Sequence, residues 1–320
     1  MRKVVLSQTG VSVSCMALGT LRFGTLNSFE NASRLFHSYL DTGGRFIDTA
    51  NSYNKWASNS QGGESETTLG LLLKNCSLRD KLFISSKVGF GFADLNDGLA
   101  SDTIIRACED SLQRLGVDHL DLYYAHKDDP KTPLEETLQA FETLKQQGKI
   151  RFAGASNYMA WRLADAEAIA NSHGWSPFTC VEQRFSYLRP APGGQFAPQQ
   201  LIDNNLETFC DRRGITMLPY TPLLRGAYVR EDRPIARSYQ GPDCDARLKV
   251  LKEVAHACEV SCNQVVLAWM MQRQPPMIPV FSASRVDHLE DNMAATQLKL
   301  SQEQLIRLNK AGNIANEEPN

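Results

Sequence analysis

Four residues stand out for what their side chains can do together: Asp48, Tyr53, Lys87 and His126. A phenol is a weak acid, with a pKa of about 10, but a nearby ammonium favours phenolate and brings that value toward neutral pH. Lys87 is the candidate ammonium, and a buried Lys87 would need a carboxylate to keep its charge, which Asp48 can supply. His126 would hydrogen-bond and orient the oxygen that receives the proton. The set suits proton transfer to a carbonyl oxygen, with Tyr53 as donor. None of the four can deliver a hydride, so this chemistry requires a cofactor.

Residues so far apart in sequence need a scaffold that converges them, and their positions relative to short apolar runs suggest one. Asp48 ends the run 45–48, Tyr53 lies in the loop after it, Lys87 directly follows 82–86, and His126 directly follows 120–125. Together with 15–19, 150–154, 179–182, 215–219 and 277–280 these make eight β-type runs, separated by longer segments of helical period. In 101–115, for example, Ile104, Ile105, Cys108, Leu112 and Leu115 recur at helical spacing behind the start signal Ser101-Asp102. Eight strand-helix repeats close most naturally into an α/β fold, a (β/α)8 TIM barrel, whose reactive side chains gather at the C-terminal ends of the strands. Two further runs, 2–6 and 11–14, flank Gln8-Thr9-Gly10 and predict an N-terminal β-hairpin at the barrel bottom. Residues 223–243 carry glycine, proline and charge without period, which predicts a long functional loop.

Bulk properties are compatible with this scheme. A chain of 320 residues matches one α/β barrel, and no linker divides it, so 1–320 is expected to form a single domain. Lys and Arg number 34 against 36 Asp and Glu, and no block of like charge suggests a nucleic-acid face or a membrane patch. No apolar run is long enough to span a bilayer, and Met1 to Ser7 does not read as a signal peptide, so the expectation is a cytoplasmic protein. Its expected partner is a small molecule, and its expected state a monomer or small homo-oligomer. The eight cysteines show no CxxC pair, which predicts reduced thiols and no metal site.

At this point the residues resemble a known family. Gly43 to Tyr53 (GGRFIDTANSY) resembles the G-x-R-x-x-D-T-A-x-x-Y signature of the aldo-keto reductases, and Gly148 to Asn157 (GKIRFAGASN) resembles their G-K-I-R-x-x-G-x-S-N segment. Tyr220-Thr221-Pro222-Leu223 resembles the Y-S/T-P-L piece after strand seven, and Ile278-Pro279 through Leu289-Glu290-Asp291-Asn292 resembles the I-P…L-x-E-N clamp. The resemblance covers nearly the whole chain. It implies a barrel that binds NADP(H) across its mouth and reduces an aldehyde or ketone, with Tyr53 as proton donor. It further implies that Gly19, Thr20 and Asp48 adjoin the cofactor and that Ser156 and Asn157 hold the nicotinamide carboxamide. Tyr220, Pro222, Leu223 and Gly226 would follow the pyrophosphate, and Ser284, Arg285, His288, Asp291 and Asn292 would grip the adenosine phosphate. No GxGxxG follows a strand, which argues against a Rossmann site.

The sequence departs from the family pattern at three places. The family places a Gln at the end of strand six and, three residues later, an aromatic for the nicotinamide ring. Aligning that aromatic to Phe185 puts Glu182 in the Gln slot, whereas aligning Gln183 puts Ser186 under the ring. The first register is preferred, because a one-residue slip would turn every side chain to the other face. In the clamp, Ser282, Ala283 and Ser284 leave only Arg285 to pair with a 2′-phosphate, which still favours NADP(H) over NAD(H). His126 is followed by Lys127-Asp128-Asp129, as in a bacterial-type branch, which adds a cation at the rim. Expected pocket-lining residues are Arg22, Phe23, Lys55, Trp56, Phe90 and Phe92. Two alternatives remain open on sequence: a cofactor-binding regulatory subunit with little turnover, and a phosphate-binding barrel isomerase or lyase.

Overall fold

Alternation of side chains along eight short parallel strands decides the architecture. A computed structural model describes residues 1–313 except Asn59 and Asn75. Residues Lys3–Val5 (β1) and Ser12–Ser14 (β2) pair antiparallel as a hairpin. Then come the barrel strands Ala17–Gly19 (β3), Phe46–Asp48 (β4), Phe83–Val88 (β5), Leu120–Ala125 (β6), Ile150–Ser156 (β7), Cys180–Arg184 (β8), Thr216–Tyr220 (β9) and Val280–Phe281 (β10). All their pairings are parallel, and β10 closes the ring between β9 and β3. Each strand falls on one of the eight apolar runs, so the expected (β/α)8 barrel is the fold.

The helices that wrap the barrel are Phe29–Asp41 (α1), Glu64–Lys74 (α2), Ser101–Leu115 (α3), Leu134–Gln146 (α4), Ala160–His173 (α5), Asn204–Arg213 (α6), Pro242–Ala257 (α7), Cys262–Met271 (α8), Val286–Ala294 (α9) and Gln302–Lys310 (α10). Their ends follow local chemistry. Ser28, Asp203, Ser261 and Ser301 accept the orphan N–H groups at the starts of α1, α6, α8 and α10. Gly116, Gly174 and Gly214 take left-handed conformations that end α3, α5 and α6. The segment expected to be a long loop runs from Thr221 to Gly241, with only two 3-10 turns in it. No helix among the described residues is long and apolar enough to cross a membrane, and all eight cysteines are free thiols.

Two apolar populations divide the strands, as a period of two requires. Inward side chains Phe46, Phe83, Leu122, Cys180, Leu218 and Ile278 fill the lower barrel, and Leu6 and Val13 of the hairpin region join them. Ser7 also bonds Thr216 at the start of β9, through its N–H at 2.6 Å, so the hairpin plugs the barrel bottom as expected. Outward residues such as Ile47, Ile84, Tyr123, Val181 and Met217 belong to the larger core under the helices. Above the lower layer the inward positions change character to Asp48, Lys87, Tyr124 and Glu182, all fully buried. Polar groups beneath a barrel mouth need partners to offset their lost hydration, and those partners define the site.

Candidate active site

Lys87 lies at the centre. Its Nζ donates to Asp48 Oδ2 at 2.6 Å, to the Thr49 carbonyl at 2.9 Å and to Tyr53 Oη at 3.0 Å, which occupies all the donors an ammonium has. Asp48 ends β4 and also accepts from Ser85 Oγ at 2.7 Å and, at 3.4 Å, from the Tyr53 hydroxyl. Tyr53 stands in the turn that follows β4, and its ring meets that of His126 edge-on at 5.9 Å. His126 follows β6, is half-buried, and leaves Nδ1 without a partner. All four residues singled out by chemistry are therefore brought to one place. A supporting glycine explains how the layer fits: a Cβ on Gly154 of β7 would lie 2.6 Å from the Tyr124 ring, and that ring lies 5.6 Å from Lys87 Nζ.

Burial and charge fix the protonation states. Burial works against the Lys87 ammonium, but Asp48, Glu182 and Tyr53 outweigh it and hold its pKa above the ordinary lysine value. Burial lowers the His126 pKa, and the nearby cations Lys87, Lys55 and Lys127 lower it further, so the imidazole is neutral. The expected lowering of the Tyr53 pKa is not found. Burial raises it, Lys87 pulls it back, and Asp48 with Glu182 pushes it up again, leaving the phenol more firmly protonated than free tyrosine. The sequence argument counted the ammonium but not two carboxylates and the loss of water.

The slot at β8 is resolved by strand parity. Glu182 faces inward, with Oε2 3.5 Å from Lys87 Nζ, while Gln183 faces outward and donates to the Tyr158 carbonyl at 2.8 Å. The same parity corrects the placement of Phe185. Three residues on from Glu182 it points to the opposite side, where its ring stacks on Trp269 of α8 at 5.9 Å and faces Arg273. Another aromatic, Tyr220, ends β9, and its hydroxyl donates to Asn157 Oδ1 at 2.7 Å.

Other expected cofactor residues fall into two groups. Gly19 and Thr20 lie at the mouth end of β3, with the Thr20 hydroxyl bound to the Asp48 carbonyl at 3.0 Å; Ser156 is buried at the end of β7. Asn157 is fully engaged inside the protein. Its Nδ2 donates to the His126 carbonyl and to Ser156 Oγ, and its Oδ1 accepts from Tyr220 and from the Gln200 N–H, so it joins β6, β7 and β9 rather than offering a free amide. Around Pro222 and Leu223, which are buried, Thr221, Leu224, Arg225 and Gly226 all have positive φ. Clustered left-handed residues are strained and are typical of ligand clamps, where successive backbone N–H groups make a concavity for anions.

In the clamp, Arg285 precedes α9 without capping it, and its guanidinium is already bound to Asp287 at 2.9 and 2.5 Å. The lone cation expected there thus carries its own counterion. Ser284 accepts through its carbonyl from Asn31, and His288 lies half-buried in the first turn of α9. Asp291 accepts from Ser261 Oγ and Gln264 Nε2, and Asn292 from Asn263, so these two tie α9 to the start of α8.

Of the expected pocket lining, Phe23 is 2% exposed and belongs to the core. Lys55 and Lys127 both lie over the Phe90 ring, at 5.1 and 4.8 Å, and Trp56 is exposed. The charge of Lys127 is offset by Asp97 at 2.5 Å, which weakens its expected role as a rim cation. A cavity of about 320 Å³ lined by Lys55, Ser60, Gln61, Phe92 and Ala93 opens beside this rim and does not include Asp48, Tyr53, Lys87 or His126. Arg22, also expected to line the pocket, has an unusual environment. It is half-buried, its Nε has no partner, no carboxylate pairs with it among the described residues, and burial with repulsion from Arg233, Arg230 and Arg225 lowers its pKa. Two of the three are themselves offset, since Asp232 pairs with Arg230 and lies 4.0 Å from Arg233, which leaves Arg22 and Arg225 without a carboxylate partner among the described residues. Sequence reading missed this grouping because Arg22 follows β3 while the other three come from the loop after β9.

Comparison with known proteins agrees with the geometry. Residues 15–313 match the model of the aldo/keto reductase family. An uncharacterized oxidoreductase of Bacillus subtilis, YrpG, is 29% identical over 97% of this chain and 95% of its own length. Norsolorinic acid reductase of Aspergillus flavus is 26% identical over 97% of this chain and 80% of its own. An aryl-alcohol dehydrogenase of Pestalotiopsis microspora is 27% identical over 96% and 81% respectively.

Proposed function

Because the chain belongs to the aldo/keto reductase family, and is thus an oxidoreductase, we propose that it reduces an aldehyde or ketone to the alcohol with NADP(H), Tyr53 being the proton donor. The observation that carries this reading is the Lys87 ammonium, bound at once to Asp48 and Tyr53 beneath a mouth that His126 faces.

The residues present fit a nicotinamide dinucleotide. Polar atoms left without partners at the mouth, Glu182 Oε2, His126 Nδ1 and Arg22 Nε, point to a ligand rich in hydrogen-bonding groups. Glu182, Ser156 and Tyr220 would adjoin the nicotinamide. Arg22, Arg225 and the strained turn 221–226 would hold the pyrophosphate, and the start of α9 with Arg285 and His288 the adenosine phosphate. When bound, this cofactor supplies the hydride.

The protein's own part is proton delivery. His126, neutral, donates a hydrogen bond to the carbonyl oxygen and orients it, which favours charge developing there. Tyr53 Oη passes its proton to that oxygen, and the resulting phenolate is stabilised by Lys87 Nζ at 3.0 Å. Asp48 keeps the ammonium charged and fixed. A small-molecule carbonyl substrate and a cytoplasmic setting belong to the same proposal. The names of two relatives refer to an aryl alcohol and to norsolorinic acid, and the rim here carries Trp56, Phe90 and Phe92, so aryl aldehydes and ketones are the first compounds to try. Purified protein with NADPH should consume it, by loss of nicotinamide absorbance, with at least one member of such a panel. No consumption across aromatic and aliphatic carbonyls, in either direction, would overturn the proposal.

A further inference from the structure

One buried group has no place in the proton relay as described. Glu182 enters the site from β8, between Ser156 of β7 and Leu218 of β9, and is 2% exposed. Its neighbours are Asp48 of β4, Lys87 of β5, Tyr53 of the following turn, Tyr124 of β6, Tyr220 of β9 and Cys180 on its own strand. Among these, Lys87 carries the one positive charge; Asp48 holds it at 2.6 Å, and Glu182 Oε2 stands farther off at 3.5 Å. Every Lys87 proton is directed elsewhere, and Glu182 Oε2 accepts no hydrogen bond. Asp48, by contrast, is served by Lys87, Ser85 and Tyr53. Two ionised carboxyls beside one ammonium would leave an uncompensated negative charge in a dry interior, and a single proton removes it.

We propose that Glu182 is a proton-gated positioning residue: its carboxyl holds a proton while the relay is competent, and its ionisation disables the relay by drawing Lys87 away from Tyr53. The competition follows from the donor count. An ionised Glu182 beside Lys87 requires one of three occupied N–H groups, and releasing Tyr53 costs less than releasing the carboxylate of Asp48 or a buried carbonyl. A second negative charge also raises the Tyr53 pKa, so the phenol gives up its proton less readily. Burial, then Asp48, push the Glu182 carboxyl up to about 8, against the pull of Lys87, which puts the gate in a working range.

The sign for stability is fixed. A carboxyl whose folded pKa exceeds its unfolded value, about 4.3, contributes stability that is full at lower pH and is lost as pH rises toward the folded pKa. Glu182→Gln keeps the shape and mimics the protonated form. In wild type, unfolding free energy should fall between about pH 4.3 and about pH 8, and in Glu182→Gln that slope should be smaller. Infrared spectra should also show a protonated-carboxyl band in wild type below pH 8 that is absent from the variant. For turnover, the alkaline limb of kcat, measured at saturating cofactor, should move up by at least one pH unit in Glu182→Gln.

The turnover readout rests on the proposed reaction; the stability and infrared readouts do not. Equal pH slopes with no band difference would overturn the proposal even if turnover is found. An unmoved alkaline limb, with the band present, would overturn the gating role. Glu182→Asp, which retains an acid, should keep the pH-dependent slope; a flat slope there would also count against it.

Discussion

Replacing Lys87 with Met tests the frame on which the site depends. Methionine fills a similar volume, so the change isolates the charge and its bonds. The ammonium and Asp48 are both essentially without solvent contact, at side-chain exposures of 0% and 1%. Removing one member of such a buried pair typically costs about 3–5 kcal/mol, because the other is left charged and unpaired. That is a large share of a net stability of about 5–15 kcal/mol. The site limits the damage in a specific way. With Lys87 gone, the buried charge that it offset can be removed only by taking up a proton, which low pH favours. Stability of the variant is therefore retained at low pH and lost as pH rises, and its deficit relative to wild type should widen from about pH 5 to about pH 8. Urea unfolding with an unchanged m-value reads this directly. Adding Asp48→Asn should recover most of the loss below about pH 8, since Glu182, still buried there, can hold a proton and needs no ammonium. A deficit below about 1 kcal/mol, or one that does not change with pH, would refute the reasoning.

Further expectations concern the wall of the site and the clamp. Gly154→Ala should destabilise by about 1–3 kcal/mol, because the added methyl would lie 2.6 Å from the Tyr124 ring; a neutral effect in denaturant titration would show that this layer is looser than its geometry. Arg285→Ala should weaken NADPH binding roughly tenfold or more, the loss of a charge-assisted hydrogen bond, and leave NADH unaffected. Asp287→Asn should act in the opposite sense by freeing the Arg285 guanidinium, and equal effects on both cofactors by fluorescence titration would show that Arg285 does not read the 2′-phosphate.

The parts of the fold and site that could be read from sequence share one property: each depends on local pattern alone. Apolar runs with a period of two, separated by helical segments, locate the strands, and in a parallel barrel the end of a strand is the mouth. Asp48, Lys87 and His126 could be found for that reason, and Tyr53 because it follows Asp48 closely. What sequence did not reveal depends on partners distant in the chain. The direction of Phe185 was legible in principle, since three residues along a strand reverse the face, but the aromatic pattern obscured it. The saturation of Asn157 involves His126, Gln200 and Tyr220, three separate segments. Arg285 and Asp287 are neighbours, yet their pairing depends on the backbone entering α9. The Tyr53 pKa required counting Glu182, which becomes a neighbour only when β8 closes against the other strands.

The central claim is that Tyr53 Oη delivers the proton, and Tyr53→Phe tests it most directly. Phenylalanine keeps the ring against His126 and leaves Lys87 with Asp48 and Thr49. NADPH affinity, measured by fluorescence, should stay within about threefold of wild type, while carbonyl turnover should fall by about 10²–10⁴, the usual contribution of a positioned acid. Turnover near the wild-type rate, with cofactor still bound, would contradict the assignment of Tyr53 as donor.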